Sequence, residues 1–160
     1  MTLNAYMKVP DIDGESKSAD HEKEIDLYDL HWLMQQESHA QVGSGRTRGR
    51  AQINPLMVRK WYDASSPYLA LACMQGKSFP EVVIMVRKDS GDAHLDYLQI
   101  TLTNTTISKY EIVGEYENTK AISELVGLAA EKVKVKYIIQ ADDHSAGDEH
   151  EIEYDIAAGR

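Results

Sequence analysis

The sequence predicts a mainly β protein, a sandwich or a barrel, with one short helix. Along most of the chain apolar side chains recur at every second position, which is the period of a half-buried strand. These alternating runs are short and are separated by polar turn segments, an arrangement typical of sandwiches and barrels. A clear helical pattern is confined to residues 65–76. The length of 160 residues fits one domain, residues 1–160.

Strands are predicted where the alternation is sustained. They cover Asn4–Val9, Ala51–Tyr62, Val82–Lys88, Leu95–Thr103 and Thr106–Val113. A further strand is predicted in LYDLHWLMQ, where alternate residues divide into an apolar face and a mixed face. The apolar face comprises Tyr28, Leu30, Trp32 and Met34, and the mixed face comprises Asp29, His31 and Leu33. In VVIMV, residues 82–86, both faces are apolar, so this strand is expected to be buried on both sides or to pack against another subunit.

Two segments near the end of the chain predict an antiparallel hairpin with oppositely charged rows. KVKVKYII sets Val133, Val135, Tyr137 and Ile139 against Lys132, Lys134 and Lys136. HEIEYDI sets Ile152, Tyr154 and Ile156 against Glu151, Glu153 and Asp155. The polar linker QADDHSAGD between them favours a turn. Lysines of one strand are therefore expected to face carboxylates of the other.

The segment SSPYLALACMQGK predicts the helix. Ser66 is a suitable N-cap, Pro67 suits the first helical position and Gly76 suits the residue just past the end. The residues between them are apolar nearly all round, which predicts a buried helix. Cys73 lies late in this helix, where the helix dipole disfavours a thiolate, so we interpret it as a small core residue rather than a nucleophile. Ser65 and Ser66 lack the context of a hydrolase nucleophile and are interpreted as capping residues.

The segment TKAISELVGLAAEK is ambiguous. Its residues are good helix formers, but Gly127 interrupts them. Propensity alone leaves both helix and strand open.

Composition and charge exclude several classes of function. The formal net charge of -9 argues against nucleic acid as the main partner, because phosphate binding needs a positive face. No apolar run approaches the roughly 18 residues of a membrane span, so no membrane insertion is expected. The single cysteine cannot form an internal disulfide. The first residues lack the basic and apolar regions of a secretory signal, so export is not expected to use the ordinary signal-peptide route.

Two acidic segments resemble metal sites in composition, and neither has a specific spacing. The first carries four carboxylates at offsets similar to those of a calcium loop, Asp11, Asp13, Glu15 and Glu22. Its glycine, Gly14, falls two residues too early for the sharp turn of that loop. In the second, His144 and His150 do not have one of the specific zinc spacings. Both are interpreted as solvated turns, and no metal, cofactor or catalytic residue is predicted.

The segment GSGRTRGR, residues 43–50, has the most distinctive local composition. Glycine and arginine together suit phosphate contact, but the segment lacks the Lys-Ser/Thr ending of a phosphate loop. With strands predicted on both sides, it is interpreted as a long flexible hairpin loop. Its positive charge on an acidic protein favours contact with a partner, most simply an acidic patch on a neighbouring copy.

Five segments, taken in order, carry a family resemblance. They are DIDGES, HEKEIDLYDLHW, KWYDASSPYLALACMQGKSFPEVVIMVRK, DYLQITL and KVKVKYIIQ. Together they resemble the haemolysin-coregulated protein (Hcp) family, whose members form the tube of the bacterial type VI secretion system. The resemblance runs from about Asn4 to Ile156, and the ordered set is much more specific than any one segment.

The resemblance implies both a fold and a function. The expected fold is a compact β-barrel of two antiparallel sheets with one short flanking helix, similar to phage tail-tube proteins. The expected function is structural: hexameric rings stack into a hollow tube that carries or chaperones secreted effectors and is expelled by a contractile sheath. The other expected partners are the spike protein and the baseplate. The protein is then made in the bacterial cytoplasm and secreted to the exterior through the type VI system.

The resemblance also implies roles for particular residues. It places the apolar face of LYDLHWL inside the barrel, so that Asp29, His31 and Leu33 face the lumen of the tube as candidate cargo contacts. Asp29 and His31 depart from the small residues that the family often has there. His31 could add pH sensitivity, and plain polarity of the lumen wall is the alternative.

A second implied site is the loop before the next long strand. It comprises Ser44, Gly45, Arg46, Thr47, Arg48, Gly49 and Arg50. By resemblance it is a candidate contact between stacked rings, and its three arginines make that contact electrostatic. The resemblance further implies that Glu124–Tyr137 is a strand, against its helical propensity.

A function of another class stays open at this point. A monomeric β-barrel that binds a small ligand in its interior accounts for the same strand pattern.

Overall fold

The computed structural model describes residues 3–36, 38–39, 47–48, 51–91, 93–114 and 122–160. Within these ranges the chain forms twelve strands and one helix. In chain order they are β1 (Ala5–Lys8), β2 (Ile25–Leu27), β3 (Asp29–His31), β4 (Met34–Gln35), β5 (Ser38–His39), β6 (Thr47–Arg48), β7 (Gln52–Ile53), β8 (Leu56–Trp61), α1 (Ser66–Gln75), β9 (Ser78–Ser90), β10 (Ala93–Val113), β11 (Ser123–Gln140) and β12 (Ala146–Asp155).

Eight of the strands form one antiparallel sheet that curls into a nearly closed barrel. The strand order is β2-β1-β9-β10-β11-β8-β3, and β12 pairs with the second half of β11. The chain bends at Tyr28 between β2 and β3, and the Tyr28 amide donates to the Arg59 carbonyl at 2.9 Å. Since β2 and β3 are thus one segment paired to both edges of the sheet, the barrel closes there. The predicted fold class is confirmed, and the strands expected in two sheets are joined in one.

The barrel interior is built from alternate residues in register across the strands. Met7 pairs with Ile84, and Ile84 with Ile100, and all three are buried. Of the doubly apolar strand VVIMV, the even-numbered residues face this core, while Val83 and Met85 are half-buried on the outer face. Period two in the sequence therefore corresponds to inside and outside of the barrel.

Several strand bounds differ from the predictions, and two of the differences concern how predicted strands are joined or divided. Leu95–Thr103 and Thr106–Val113 are parts of one strand, β10, which continues through Asn104 with φ of 49°. Ala51–Tyr62 is instead divided into β7 and β8 at Asn54 and Pro55. Pro55 has no amide hydrogen for a ladder, and the Asn54 amide donates to the Leu33 carbonyl instead.

The ambiguous segment is a strand from Ser123 onwards, as the family resemblance implied, and its residues 119–121 lie outside the described ranges. β11 runs from Ser123 to Gln140 and pairs with β10 along its length. Gly127 lies where a Cβ atom would meet the Met57 sulfur, the Lys109 Cβ and the Ser108 Oγ, each at 3.1 Å. β10 has a register shift beside it, between Ile107 and Lys109. Gly127 therefore permits close approach of neighbouring strands, and these tertiary contacts override helix propensity.

The predicted hairpin with charged rows is confirmed. In the β11–β12 ladder Lys134 pairs with Glu153 and Lys136 with Glu151. The Lys134 ammonium lies 3.0 Å from Glu151 and 3.4 Å from Glu153, and the hydrogen bond with Glu151 raises the pKa of Lys134. The other face of the hairpin is apolar and only partly covered, since Ile152 is 60% exposed.

The helix begins one residue earlier than predicted, so the prediction that Ser66 is the N-cap is wrong. Ser66 is its first residue and Ser65 the flanking one, and Ser65 makes no side-chain capping bond. The Ser66 hydroxyl instead contacts the buried Lys60 and Glu124, as described below. At the other end Gly76 has the predicted left-handed conformation, with φ of 62°.

The prediction that α1 is buried is wrong. Leu69 and Ala72 pack in the core and Cys73 is half-buried against it. The opposite face is open, however, with Tyr68 61% and Met74 77% exposed, and Leu71 lies exposed between them. A short helix that meets the barrel along one side can bury only that side, whatever the hydrophobicity of the other.

Candidate functional site

The three candidate lumen residues lie together on the exposed surface of the barrel, at the place where the sheet closes. Asp29 and His31 are on β3, Leu33 follows it, and all three side chains are exposed. Asp29 pairs with Arg59 on β8, where the carboxylate and guanidinium are 3.7 Å apart, and His31 pairs with Met57. The predicted alternation is correct for these residues, although their place in a tube lumen is a matter of assembly and stays a prediction.

Their neighbours continue the same face across three more strands. One row runs from Asp29 through Arg59 and Leu125 to Glu111. The next runs from His31 through Met57 and Gly127 to Lys109. We call this surface the β3–β8 face; it comprises Asp29, His31, Met57, Arg59, Lys109, Glu111 and Leu125.

The charges on the β3–β8 face are balanced. Asp29 is paired with Arg59, and Lys109 lies 3.9 Å from Glu111. Between the two ion pairs lie the half-buried side chains of Met57 and Leu125. Exposed pairs of this kind contribute about 0–1 kcal/mol, so they cancel charge more than they stabilise the barrel. On a protein of net charge -9 this face is locally neutral.

An aromatic pair adjoins this face and was missed in the sequence. Tyr28 and Trp61 stack with their ring centroids 4.6 Å apart, and Trp61 is largely exposed. The signal was present, because Trp61 continues the outward series Met57, Arg59 along β8. Its stacking partner could not be inferred, because Tyr28 sits at the bend between β2 and β3.

The opposite face of LYDLHWLMQ is only partly inside the barrel. Leu30 and Trp32 are half-buried against the core, and the Trp32 indole donates to the Asn54 carbonyl at 3.0 Å. Met34 is 50% exposed, so its predicted place in the core is wrong. β4, which contains Met34, has left the barrel and pairs with β7 in a separate two-stranded ladder.

An apolar pocket lies beneath Trp32. Its volume is about 170 Å³, and Trp32, Leu56, Leu102, Leu128, Val133 and Ile156 are among the residues that line it. Small-molecule sites typically have volumes of about 300–1,000 Å³. This pocket is therefore too small to support the alternative of an interior ligand-binding barrel.

A buried polar network was also missed in the sequence. Lys60 and Glu124 form an ion pair with no exposed surface on either side chain. The Lys60 ammonium donates to the Ser66 hydroxyl at 2.9 Å, which in turn donates to Glu124 at 2.8 Å. The Tyr110 hydroxyl donates to the other carboxylate oxygen, and Asp63 lies 3.1 Å from the ammonium. The sequence did hold a signal for it, because Lys60 continues the series of inward-facing residues Leu56 and Val58 along β8.

The candidate ring-stacking residues are mostly outside the described ranges. Ser44, Gly45, Arg46, Gly49 and Arg50 lie there. The other two, Thr47 and Arg48, form β6, which pairs with β5 (Ser38–His39). The β4–β7 ladder gives the predicted strands on both sides of this segment, but β6 lies within residues 43–50, so the prediction of a loop over that whole span is wrong at Thr47 and Arg48.

Two general properties of the described residues bear on function. They contain no group of three histidine, cysteine or acidic side chains arranged to hold a metal ion. None of their helices has the length and apolarity required to span a bilayer.

Comparison of the sequence with known families and proteins gives consistent matches. Residues 6–137 match the family model described as type VI secretion system effector, Hcp. The chain is 32% identical over 143 residues to Protein hcp1 of Pseudomonas aeruginosa, and the alignment covers 89% of this chain and 88% of that protein.

Comparison of the fold leads to the same group. A type six secretion system protein superposes with a TM-score of 0.91 at 26% identity, covering 99% of this chain and 98% of the other. Hcp1 from Salmonella typhimurium superposes with a TM-score of 0.81 at 29% identity, covering 100% and 99%.

Proposed function

Because the chain belongs to the Hcp family of type VI secretion proteins, we propose that it builds the inner tube of a type VI secretion system as stacked hexameric rings. The observation that carries this proposal is the family match over residues 6–137 together with the whole-chain likeness to solved family members. In this role the protein is structural and carries no catalytic site.

Apolar surface on two separate elements supports self-association. One such surface is the open face of the β11–β12 hairpin, with Tyr137, Ile139 and Ile152 exposed. The other is the open face of α1. A closed ring joins two different surfaces of each subunit, and exposed apolar clusters are common interaction sites.

We assign the wall of the tube lumen to the β3–β8 face together with Leu33, the residue that lies beside it after β3. Asp29, His31 and Leu33 then line the tube, and effectors pass along a surface whose charges are already paired. The remaining partners follow from the same role: a contractile sheath outside the tube, a spike at its tip and a baseplate beneath. The protein is made in the cytoplasm and leaves the cell through the machine itself.

The first experiment is light scattering and negative-stain electron microscopy of the purified protein. We expect ring-shaped particles of about six times the 18.0 kDa subunit mass. Ile152→Lys places a charge on the apolar hairpin face and is expected to shift the mass towards that of the monomer. Because Ile152 is mostly exposed, the fold should persist, as circular dichroism will verify.

Glu153→Gln is the matched control, since Glu153 is the next residue and faces the other side of the hairpin. It should leave the ring mass unchanged. A protein that stays at the monomer mass at high concentration, with no rings in micrographs, would contradict the proposed function. Rings that survive Ile152→Lys would contradict only the role of the hairpin face.

The loop of residues 44–50 is proposed as the contact between stacked rings. Its arginines predict that stacking weakens as ionic strength rises, because salt screens charges over about 8–10 Å at physiological concentrations. The double variant Arg46→Glu with Arg48→Glu should shorten tubes several-fold while single rings persist. Tube lengths in micrographs that respond neither to salt nor to this variant would remove the loop from the stacking contact.

A further inference from the structure

The segment Pro10–Glu24, between β1 and β2, is attached to the barrel by a buried histidine. His21 is only 2% exposed. Its Nδ1 atom lies 2.6 Å from an oxygen of Glu24, and its Nε2 atom lies 2.9 Å from an oxygen of Asp96. Glu24 belongs to the same segment, whereas Asp96 belongs to β10. The imidazole thus bridges the segment to the sheet.

This arrangement requires a proton on each ring nitrogen. Both partners are carboxylates, which accept hydrogen bonds and do not donate them when ionised. A neutral imidazole has only one N–H group, so it satisfies one carboxylate and turns a lone pair towards the other. The imidazolium satisfies both with charge-assisted hydrogen bonds.

The ring is also covered on one face. Tyr6 of β1 stacks on His21 with a centroid distance of 4.3 Å and an interplanar angle of 7°. The Tyr6 hydroxyl donates to the Ser18 hydroxyl at 2.9 Å, and Arg87 of β9 donates to the Ala19 carbonyl at 2.8 Å. The residues from Ser18 to His21 therefore lie over Tyr6, and among these contacts the His21 bridge carries the titratable proton.

Three elements around His21 carry charged side chains that face it or lie close to it. Glu24 faces it from its own segment and Asp96 from β10. Arg87 of β9 lies behind Tyr6, 5.3 Å from that ring, and its charge is offset by Asp89 at 3.1 Å. The two carboxylates that contact the imidazole directly therefore dominate its environment.

We propose that His21 is a proton-operated clasp: as the imidazolium it holds residues 13–24 of this segment over Tyr6, and loss of the proton releases them and uncovers the outer face of β1. The structural element that responds is the segment itself, which has its own hydrogen bonds, such as that from the Gly14 amide to the Lys23 carbonyl at 2.7 Å. Ile12 belongs to the core, so the part that can detach while the barrel remains folded is residues 13–24.

The direction of the pH dependence follows from the environment. Burial of the ring lowers the pKa of His21, but the hydrogen bonds and charges of Asp96 and Glu24 outweigh it and raise the pKa above the ordinary value of 6.5. A group whose pKa is raised by folding stabilises the closed state fully below its unfolded pKa. That stabilisation is lost as the pH rises through the folded pKa. The clasp is thus closed in acid to neutral solution and opens in the alkaline direction.

Hydrogen exchange read by mass spectrometry tests the clasp in the purified protein, whatever its oligomeric state. Exchange of the histidine C2 hydrogen gives the pKa of His21, and amide exchange over residues 13–24, corrected for intrinsic rates, gives the opening equilibrium. We expect amide protection to be constant below pH 6.5 and to fall by up to about tenfold per pH unit between 6.5 and the folded pKa, before levelling off.

Three variants complete the experiment. His21→Gln should expose residues 13–24 to exchange at every pH. Asp96→Asn removes one carboxylate charge without removing the hydrogen-bond acceptor, so it should lower the pKa of His21 and reduce the pH response. His144→Asn, at an exposed position in the turn between β11 and β12, is the control and should behave like the wild type.

Two results of these experiments would contradict the proposed clasp. A His21 pKa at or below 6.5, or protection over residues 13–24 that is independent of pH, would overturn the proposal even if His21→Gln fails to fold. Neither measurement depends on ring formation. The test of the His21 clasp is therefore independent of the test of the proposed function.

Discussion

Lys60 and Glu124 place two charges inside the barrel, where each is accessible to no solvent. Such a pair is tolerated because its hydrogen-bonding groups are satisfied: Ser66 and Tyr110 bond to the carboxylate, and Asp63 approaches the ammonium. Ser66 is the first residue of α1. The pair therefore fastens the beginning of the helix to β8 and β11, a positional role that an apolar contact would specify less strictly.

Removal of one partner should be far more costly than removal of both. Lys60→Ala leaves an unpaired buried carboxylate, and we expect a loss of about 3–5 kcal/mol in the free energy of unfolding, measured by urea titration. The double variant Lys60→Met with Glu124→Gln removes both charges and keeps an acceptor for Tyr110 and Ser66. It should recover a large part of that loss.

Lys109→Met is the matched control for this experiment. Lys109 makes a long, exposed pair with Glu111, so its loss should change stability by no more than about 0.5 kcal/mol. A double variant as unstable as Lys60→Ala would argue that the Lys60 site depends on packing rather than on paired charge.

At the scale of elements, the β11–β12 hairpin has two faces with different tasks. The charged face is internally paired, since Lys132, Lys134 and Lys136 each lie within 4 Å of a carboxylate of β12. The apolar face continues a core row outward, because Ile152 lies in register with the half-buried Val135, and Val135 with the buried Ile100. One face therefore sets the strand register, and the other is left for a further contact.

The charged face predicts a rescue between two substitutions. Lys134→Glu or Glu153→Lys alone sets like charges opposite each other and should lower the urea midpoint of unfolding. The double variant restores the pair in reversed order and should return the midpoint most of the way to the wild-type value. If the two effects simply add, cross-strand pairing does not contribute to the hairpin.

The helix face illustrates the same division. Leu69 and Ala72 join the core, while Tyr68, Leu71 and Met74 remain open. An isolated subunit gains nothing from three large apolar side chains on an exposed helix. Their presence is consistent with a surface that is covered in an assembly.

At the scale of the whole molecule, the barrel has surfaces of different chemical character on different sides. The β3–β8 face is locally neutral, although the chain carries a net charge of -9. The apolar hairpin and helix faces lie elsewhere on the barrel. A tube subunit needs this separation, because the lumen, the ring neighbours and the stacked rings each contact a different side.

The sequence by itself determined the fold class and the exposure of the three candidate lumen residues. The alternation of apolar and polar residues showed which side chains of the barrel strands face the core and which face outward. It placed Asp29, His31 and Leu33 on the exposed side. The alternating charges of the last two strands determined their pairing and register. These features are local or pairwise, so a pattern along the chain is enough to predict them.

Tertiary structure alone decided the remainder. The helical propensity around Gly127 yielded to pairing with two neighbouring strands, and the apolar helix was left half open because the barrel covers only one side of it. His21 and Lys60 acquired their roles from Asp96 and Glu124, which are 75 and 64 residues away in the chain. No periodicity along the chain encodes such distant partners, because they meet only when segments far apart in the sequence come together in the folded sheet.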